Sequence, residues 1–166
     1  MSETLKKSVS KTKIRWLIRQ DLPSILKIEN ESFIIPWNEE EFIEILRDKN
    51  CIGLVCEVDG EIAGFLFYDK NDSLYEILNL AVLPEKRLQG IGKKLISHLM
   101  KKMETSRNTT EILATVSEWN LNGHLFFSKL NFQAEMVTRN FYGPDHDGYN
   151  FLLHKFVMEE QLFQET

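Results

Sequence analysis

Arg87, Gly90, Gly92, Lys93 and Lys94 fall within one stretch of eight residues, RLQGIGKK, where an apolar strand-like segment gives way to a helical pattern. A turn of this kind exposes backbone N–H groups that have no partner within the helix they introduce. Glycine lets the chain approach a ligand closely and take conformations closed to other residues. The start of the helix adds partial positive charge, so the natural guest is an anion, phosphate above all. Two phosphate loops are excluded: no G-x-x-x-x-G-K-[ST] is present, and no early βαβ unit with G-x-G-x-x-G surrounds the turn. The alternative is a tight strand-to-helix turn that binds nothing.

The elements around the turn follow from hydrophobic period. KIRWLIR (Lys13 to Arg19) alternates as a strand does, and DLPSILKIENESF follows as a helix with Asp21 as cap and Pro23 in its first turn. IIPW breaks that helix, and Asn38 caps a second one over NEEEFIEILRDK. CIGLVCEVDGEIAGFLFYDK reads as two strands joined at Asp59-Gly60, and SLYEILNLAVL is apolar on both faces, as a covered central strand is. The helix opening at Gly90 aligns Ile91, Leu95, Ile96, Leu99, Met100 and Met103 on one stripe. TEILATVS is a further strand, and NLNGHLFFSKLN a short helix capped by Asn120 with Leu121, Leu125, Phe126 and Leu130 as its stripe. FQAEMVTRNFY and YNFLLHKFV close the pattern as two strands around the loop GPDHDG. The order β-α-α-β-β-β-α-β-α-β-β implies an α/β fold, a mixed sheet with helices on its faces.

At 166 residues and a net charge of −5, the chain is expected to form one domain over 13–157, with an N-terminal tail (1–12) and a C-terminal tail (158–166). The acidic balance argues against a nucleic-acid partner and suits an amine-bearing one. MSETLKKSVSKTK has no apolar core, so no signal peptide is expected; nor is a membrane span. Cys51 and Cys56 have neither metal-ligand nor redox spacing and are expected as buried thiols of a cytoplasmic protein. Asp145, His146 and Asp147 read as a polar loop with no metal site, since His98 and His154 are remote in sequence. His124, near a helix start, is expected to face solvent.

The arrangement R-x-x-G-x-G, Arg87-Leu88-Gln89-Gly90-Ile91-Gly92, resembles the coenzyme A pyrophosphate motif of the GNAT acetyltransferase superfamily. NLAV (Asn79 to Val82) is similar to the family's central strand, and Ser117 to Phe132 to its N-x-x-A…L-Y-x-x-x-G-F segment. ESFIIPW (Glu31 to Trp37) and RNFYGPDHDGYNF (Arg139 to Phe151) resemble the protein N-terminal acetyltransferases of the RimI type. The resemblance spans roughly Ile14 to Phe156 and implies the GNAT fold, a mostly antiparallel mixed sheet flanked by helices. It implies acetyl-CoA as cofactor, held by Leu80, Ala81 and Val82 at the thioester, by Arg87, Leu88, Gln89, Gly90, Ile91, Gly92 and Lys93 at the pyrophosphate, and by Asn120 and Phe127 on the far side. It also implies an amino acceptor between Phe33, Pro36 and Trp37 on one side and Tyr142 and Tyr149 on the other, in a monomer or homodimer.

The chain departs from that pattern where protons move. The RimI-type base, a glutamate, corresponds to Thr115 here, and the acid, a tyrosine, corresponds to Phe127, which the helix phase sets away from the stripe and toward the thioester. Glu76 on the central strand and Tyr142 remain as substitutes. A peptide α-amine with pKa about 7.7–8.0 is roughly one-tenth neutral at pH 7, whereas a lysine amine near 10.4 is neutral only about four times in ten thousand. General acid–base help is worth roughly 10²–10⁴-fold, so its loss slows transfer to an α-amine and nearly stops transfer to lysine. An N-terminal α-amine is therefore the expected acceptor. A small amine (a polyamine or aminoglycoside) and a non-catalytic coenzyme A-binding regulatory domain are the alternatives.

Overall fold

A computed structural model describes residues 10–156. The expected tails fall largely outside the described residues; β1 begins at Thr12. Seven strands form one sheet in the order β1-β2-β3-β4-β5-β7-β6. They are β1 (Thr12–Trp16), β2 (Cys51–Val58), β3 (Glu61–Lys70), β4 (Leu74–Val82), β5 (Glu111–Ser117), β6 (Gln133–Thr138) and β7 (Gly148–His154). All neighbours run antiparallel except β4 and β5. Helices α1 (Leu22–Ser32), α2 (Glu39–Arg47), α3 (Ile91–Thr105) and α4 (Leu121–Lys129) complete the expected order.

The helices sort onto the two faces by their apolar stripes. Leu22, Ile25 and Ile28 of α1 and Phe42 of α2 are buried against Val55, Phe65, Phe67 and Ala81 on one face. Ile91, Leu95, Ile96, Leu99 and Met103 of α3, with Phe127 of α4, cover Leu66, Tyr68, Ile112, Ala114 and Phe151 on the other. Fully burying one such side chain contributes about 1.5–3 kcal/mol. The hairpin turn follows the sequence: Asp59 (φ 53°) and Gly60 (φ 90°) both take left-handed values, the pair required to match the strand twist. Asn38 and Glu41 form the reciprocal cap of α2, each accepting the other's backbone N–H at 3.0 and 2.7 Å.

Four local expectations are corrected. β1 ends at Trp16, and a 3-10 turn over Arg19–Asp21 replaces the last residues of the expected strand. Asp21 does not cap α1: its carboxylate accepts two hydrogen bonds from Arg15 at 2.7 and 2.9 Å and the Ile18 N–H at 2.8 Å. On α4, Leu121 and Leu125 are exposed while Phe127 is the buried residue, because the ring meets Phe126, Phe132 and Phe151 across the sheet. The first closing strand stops at Thr138, where Arg139 and Asn140 turn to bind Asp147.

The Arg15 bonds hold the buried Asp21 carboxyl below its ordinary pKa. A depressed carboxyl stabilises the fold above its unfolded pKa, and that contribution disappears as pH falls through the folded value. Asp21→Asn, with Arg15 losing its charged partner, is expected to lower stability by about 1–3 kcal/mol at pH 7 and by less near pH 3. Urea unfolding at the two pH values measures the difference; an equal loss at both would contradict it.

Candidate active site

The parallel ladder between β4 and β5 covers only Leu74↔Glu111 to Ile77↔Ala114. Beyond Ile77 the two strands part. The cause lies in β4: Phe67 pairs with Asn79 but Tyr68 with Ile77, so Leu78 is an extra residue, a β-bulge that bends the strand. β3 still pairs Leu80, Ala81 and Val82, and β7 still pairs Thr115 through Ser117. An open fork therefore runs between the backbone of Leu80–Val82 and the β5 arm. A strand edge inside a fork offers N–H and C=O groups to an extended ligand.

At the wide end of the fork lies the glycine turn. Leu88 (φ 59°) and Gly90 (φ 82°) are both left-handed, and Leu88 projects wholly into solvent. That conformation costs an L-residue roughly 1–2 kcal/mol, and nothing packs on Leu88 to offset it. The first helical bond of α3 is Lys94 N–H to Gly90 O at 3.0 Å, and no side chain caps the helix. The N–H groups of Ile91, Gly92 and Lys93 precede that bond. A Cβ at Gly90 meets nothing within 4 Å, so open space lies before the helix.

The two glycines do different work: a Cβ at Gly92 would lie 3.2 Å from the Phe126 ring, so Gly92 admits α4 against α3. Arg87 is tied back to Val82 O and Ser32 Oγ, both at 3.0 Å, and braces β4 against α1. Gln89 reaches back to Glu85 O at 3.3 Å, and Lys93 and Lys94 are exposed. Asn120 caps α4, accepting the Gly123 N–H at 2.9 Å.

Near the fork's apex, Glu29 of α1 is 1% exposed. Its carboxylate accepts the Trp37 N–H at 2.9 Å and an amide hydrogen of Asn79 at 3.0 Å. One side chain thus joins the α1–α2 connection to the bulged part of β4. Desolvation raises its pKa. Glu29 was not singled out from the sequence, although a carboxylate on the stripe of Leu22, Ile25 and Ile28 is a signal of a buried polar contact.

Thr115 shares one face of β5 with Ser117, because Ile112, Ala114 and Val116 are the buried positions. Thr115 Oγ1 lies 3.1 Å from Asn150 Oδ1, and its carbonyl accepts the Tyr142 O–H at 2.8 Å. Although Tyr142 as a whole is 43% exposed, desolvation of its phenol raises the pKa, which keeps the donor proton in place. Gly148 makes this approach possible, since a Cβ there would stand 2.6 Å from Thr115 Cγ2.

Several expected site residues stand elsewhere. Tyr149 is on the α4 face, ring to ring with His124 at 5.1 Å, whereas its neighbour Asn150 faces Thr115. Strand alternation separates it from Tyr142. Trp37 packs its ring on Phe42 at 5.4 Å, and only Phe33 of the expected aromatic pair is exposed, beside Ile34 and Ile35. Phe127 is a core residue with 6% of its surface exposed. Glu76 lies on the paired side of the apex, opposite Asp69 and Leu113. His124 is half-buried and donates from Nε2 to Ser117 O at 2.8 Å. The loop GPDHDG is a knit structure: Asp147 binds Arg139 and the Asn140 N–H, and His146 Nε2 lies 2.7 Å from Ser117 Oγ. Burial pushes the Cys51 thiol up to about 12, which leaves it unreactive.

Glu29 supplies a test of the apex. A carboxyl whose folded pKa is raised stabilises the fold below its unfolded pKa and loses that contribution as pH rises through the folded value. Glu29→Gln stays neutral throughout, so its stability relative to the wild type is expected to improve as pH rises above the ordinary glutamate pKa and to level off once the folded value is passed. Chemical denaturation between pH 5 and pH 8 reads it; a constant difference would contradict the raised pKa.

Comparison with known proteins places this geometry. The profile of the Acetyltransferase (GNAT) family matches residues 22–132. The chain is 27% identical over 128 residues to the [ribosomal protein bS18]-alanine N-acetyltransferase of Escherichia coli K12, covering 77% of this chain and 84% of the relative. It is 27% identical over 141 residues to an N-alpha-acetyltransferase of Sulfurisphaera tokodaii, covering 78% and 84%. Among solved structures, the Escherichia coli ribosomal-protein-S18-alanine N-acetyltransferase superposes with a TM-score of 0.79 at 24% identity over 87% of this chain and 94% of that one. Arabidopsis thaliana NAA60 in complex with acetyl-CoA gives 0.76 at 20% identity over 87% and 99%. With the forked sheet, the uncapped helix behind a glycine turn and the family match over most of its length, this chain belongs to the GNAT acetyltransferase family and is an acetyl-CoA-dependent N-acetyltransferase.

Proposed function

We propose that the acceptor is the α-amino group of a protein N-terminus, that the reaction proceeds in the cytoplasm, and that a single domain over 13–157 carries it. The observation behind this reading is the bond from Tyr142 O–H to Thr115 O at 2.8 Å. It brings the β6–β7 loop over the β5 arm at the position where the RimI pattern has its carboxylate, and the residue there is an uncharged threonine. A site without that carboxylate favours an amine that is already partly neutral at pH 7. The α-amine names borne by relatives from Escherichia coli and Sulfurisphaera tokodaii support the same choice.

In this reading the thioester lies along Leu80, Ala81 and Val82, whose N–H groups orient its carbonyl. The amine attacks the carbonyl carbon directly, the C–S bond breaks, and the coenzyme leaves as a thiolate with pKa near about 8.5. The pyrophosphate sits before α3 on the N–H groups from Leu88 to Lys93. Arg87 serves by bracing the turn, Asn120 by fixing α4, and Phe127 by closing the core behind the coenzyme. The peptide runs between Phe33, Pro36 and the exposed isoleucines of the α1–α2 connection and Tyr142 of the β6–β7 loop. Trp37 and Tyr149 support those walls from behind.

Two measurements test the halves of the site separately. Coenzyme A at about 100-fold its dissociation constant is expected to add roughly 2.7 kcal/mol of stability. Gly90→Asp is expected to abolish that shift, because it places a like charge in the open space before α3; a retained shift would remove the phosphate from this turn. For the acceptor, the preference for an N-terminal peptide over a lysine peptide is expected to be large at pH 7. It should shrink as pH rises, since lysine gains neutral fraction while the α-amine saturates. Equal rates on the two peptides at pH 7, or faster transfer to a polyamine, would overturn the N-terminal reading.

A further inference from the structure

Thr115 cannot take a proton from the acceptor, yet two residues further along the same face of β5 stands a pair that can. Ser117 Oγ lies 2.7 Å from His146 Nε2 and accepts the Trp119 N–H at 3.2 Å. In the neutral tautomer that carries its proton on Nδ1, His146 Nε2 accepts the serine hydroxyl proton. Residues two apart on a strand are separated by about 6–7 Å, which sets Ser117 one repeat beyond Thr115 on the same face. Both Ser117 and Thr115 lie on the arm of β5 that has parted from β4, so the pair stands beside the fork.

The imidazole is held as a positioned group. Trp119 stacks on it with ring centroids 3.7 Å apart and planes 19° from parallel, and the Tyr142 ring lies 5.0 Å from its other side. His124 fixes the strand end through Ser117 O at 2.8 Å, and the Asp147 N–H donates to Glu118 Oε1 at 2.8 Å, which pins the loop. The charged groups around His146 are otherwise engaged: Asp147 with Arg139 and Asn140, Glu118 with the Asp147 N–H. The His146 ring hydrogen-bonds to the serine beside the fork, while its backbone pairs with Tyr142 and Gly143.

We infer that Ser117 and His146 form a proton relay that replaces the missing carboxylate. As the amine nitrogen bonds to the thioester carbon, its N–H proton passes, directly or through one water, to Ser117 Oγ. The serine's own proton moves to His146 Nε2, the C–S bond breaks, and the thiolate takes a proton from solvent. The imidazolium returns its proton to water after the amide leaves, so no atom or charge is unaccounted for. The relay rests on the direct-attack reading of the preceding subsection, but it applies to whichever amine the enzyme accepts.

His146→Gln keeps a polar contact to Ser117, His146→Phe keeps the stack on Trp119, and Ser117→Ala removes the link; each is measured on the best amine substrate of the wild type. All three are expected to lower kcat about 10²-fold with the KM for acetyl-CoA unchanged, and the Ser117→Ala/His146→Gln pair to be no worse than either alone. Added imidazole is expected to restore part of the rate in His146→Gln. Turnover within about twofold of wild type in His146→Gln would overturn the relay, as would a loss confined to the acceptor KM. Transfer to lysine or polyamine alone would overturn the N-terminal reading while leaving the relay to be decided by the same variants.

Discussion

A pair of parallel strands that separates halfway leaves backbone N–H and C=O groups facing a gap, and such groups must find partners. In this chain the gap opens after Ile77 and Ala114, and every feature of the site follows from it. The Leu78 bulge bends β4 while β3 keeps its register to Val82, so the strand turns aside without fraying. Glu29 holds the bend from behind through Asn79. On the reading proposed above, the coenzyme's pantetheine arm, an extended, amide-bearing chain, supplies the partners that a neighbouring strand would otherwise supply.

This constraint explains which parts of the molecule were legible beforehand. Element order, the Asp59-Gly60 turn, the Asn38 cap and the α3 stripe were readable because each depends on residues within one or two helical turns of one another. The fork was not. A bulge is a relation between two strands, and Leu78 carries no local mark that distinguishes it from Leu80. Asp21 was misread for a similar reason: its type suits a helix cap, but Arg15 on β1 competes for it with two charged hydrogen bonds at 2.7 and 2.9 Å. On α4 the periodicity of Leu121, Leu125 and Phe126 pointed one way, and the aromatic group of Phe132 and Phe151 drew Phe127 inward instead.

The site divides in the same manner. Its proposed anion end is built from consecutive residues, in which Arg87 hydrogen-bonds to Val82 O and Ser32 Oγ and Gly92 admits the Phe126 ring. Its acceptor end is assembled from α1, β5 and the β6–β7 loop, and there the sequence named residue types correctly more often than directions. Tyr142 and Tyr149 flank one loop and look equivalent, but strand alternation sends Tyr149 to the α4 face. His146 looked like a solvated loop residue because its partner, Ser117, lies 29 positions away.

Binding and proton transfer are therefore carried by different kinds of structure. In the proposed reading, coenzyme recognition rests on backbone geometry, the fork and the uncapped start of α3, and backbone geometry tolerates wide change in side chains. In the same reading, proton transfer rests on side chains at the acceptor end, where Thr115 stands at the base position of the RimI pattern while Phe127, at its acid position, is buried in the core. Losing both groups would leave the cofactor site intact and the chemistry slow, unless the loop that reaches over β5 supplied the missing function. Tyr142 and His146 both come from that loop, and both reach the open arm of β5, at Thr115 and Ser117. A mobile-looking segment of glycine, proline and aspartate is tied down by Arg139, Asp147 and Glu118, interactions that a loop acting only as a rim would not need. The rigidity of the loop is the physical argument that its side chains take part in the reaction.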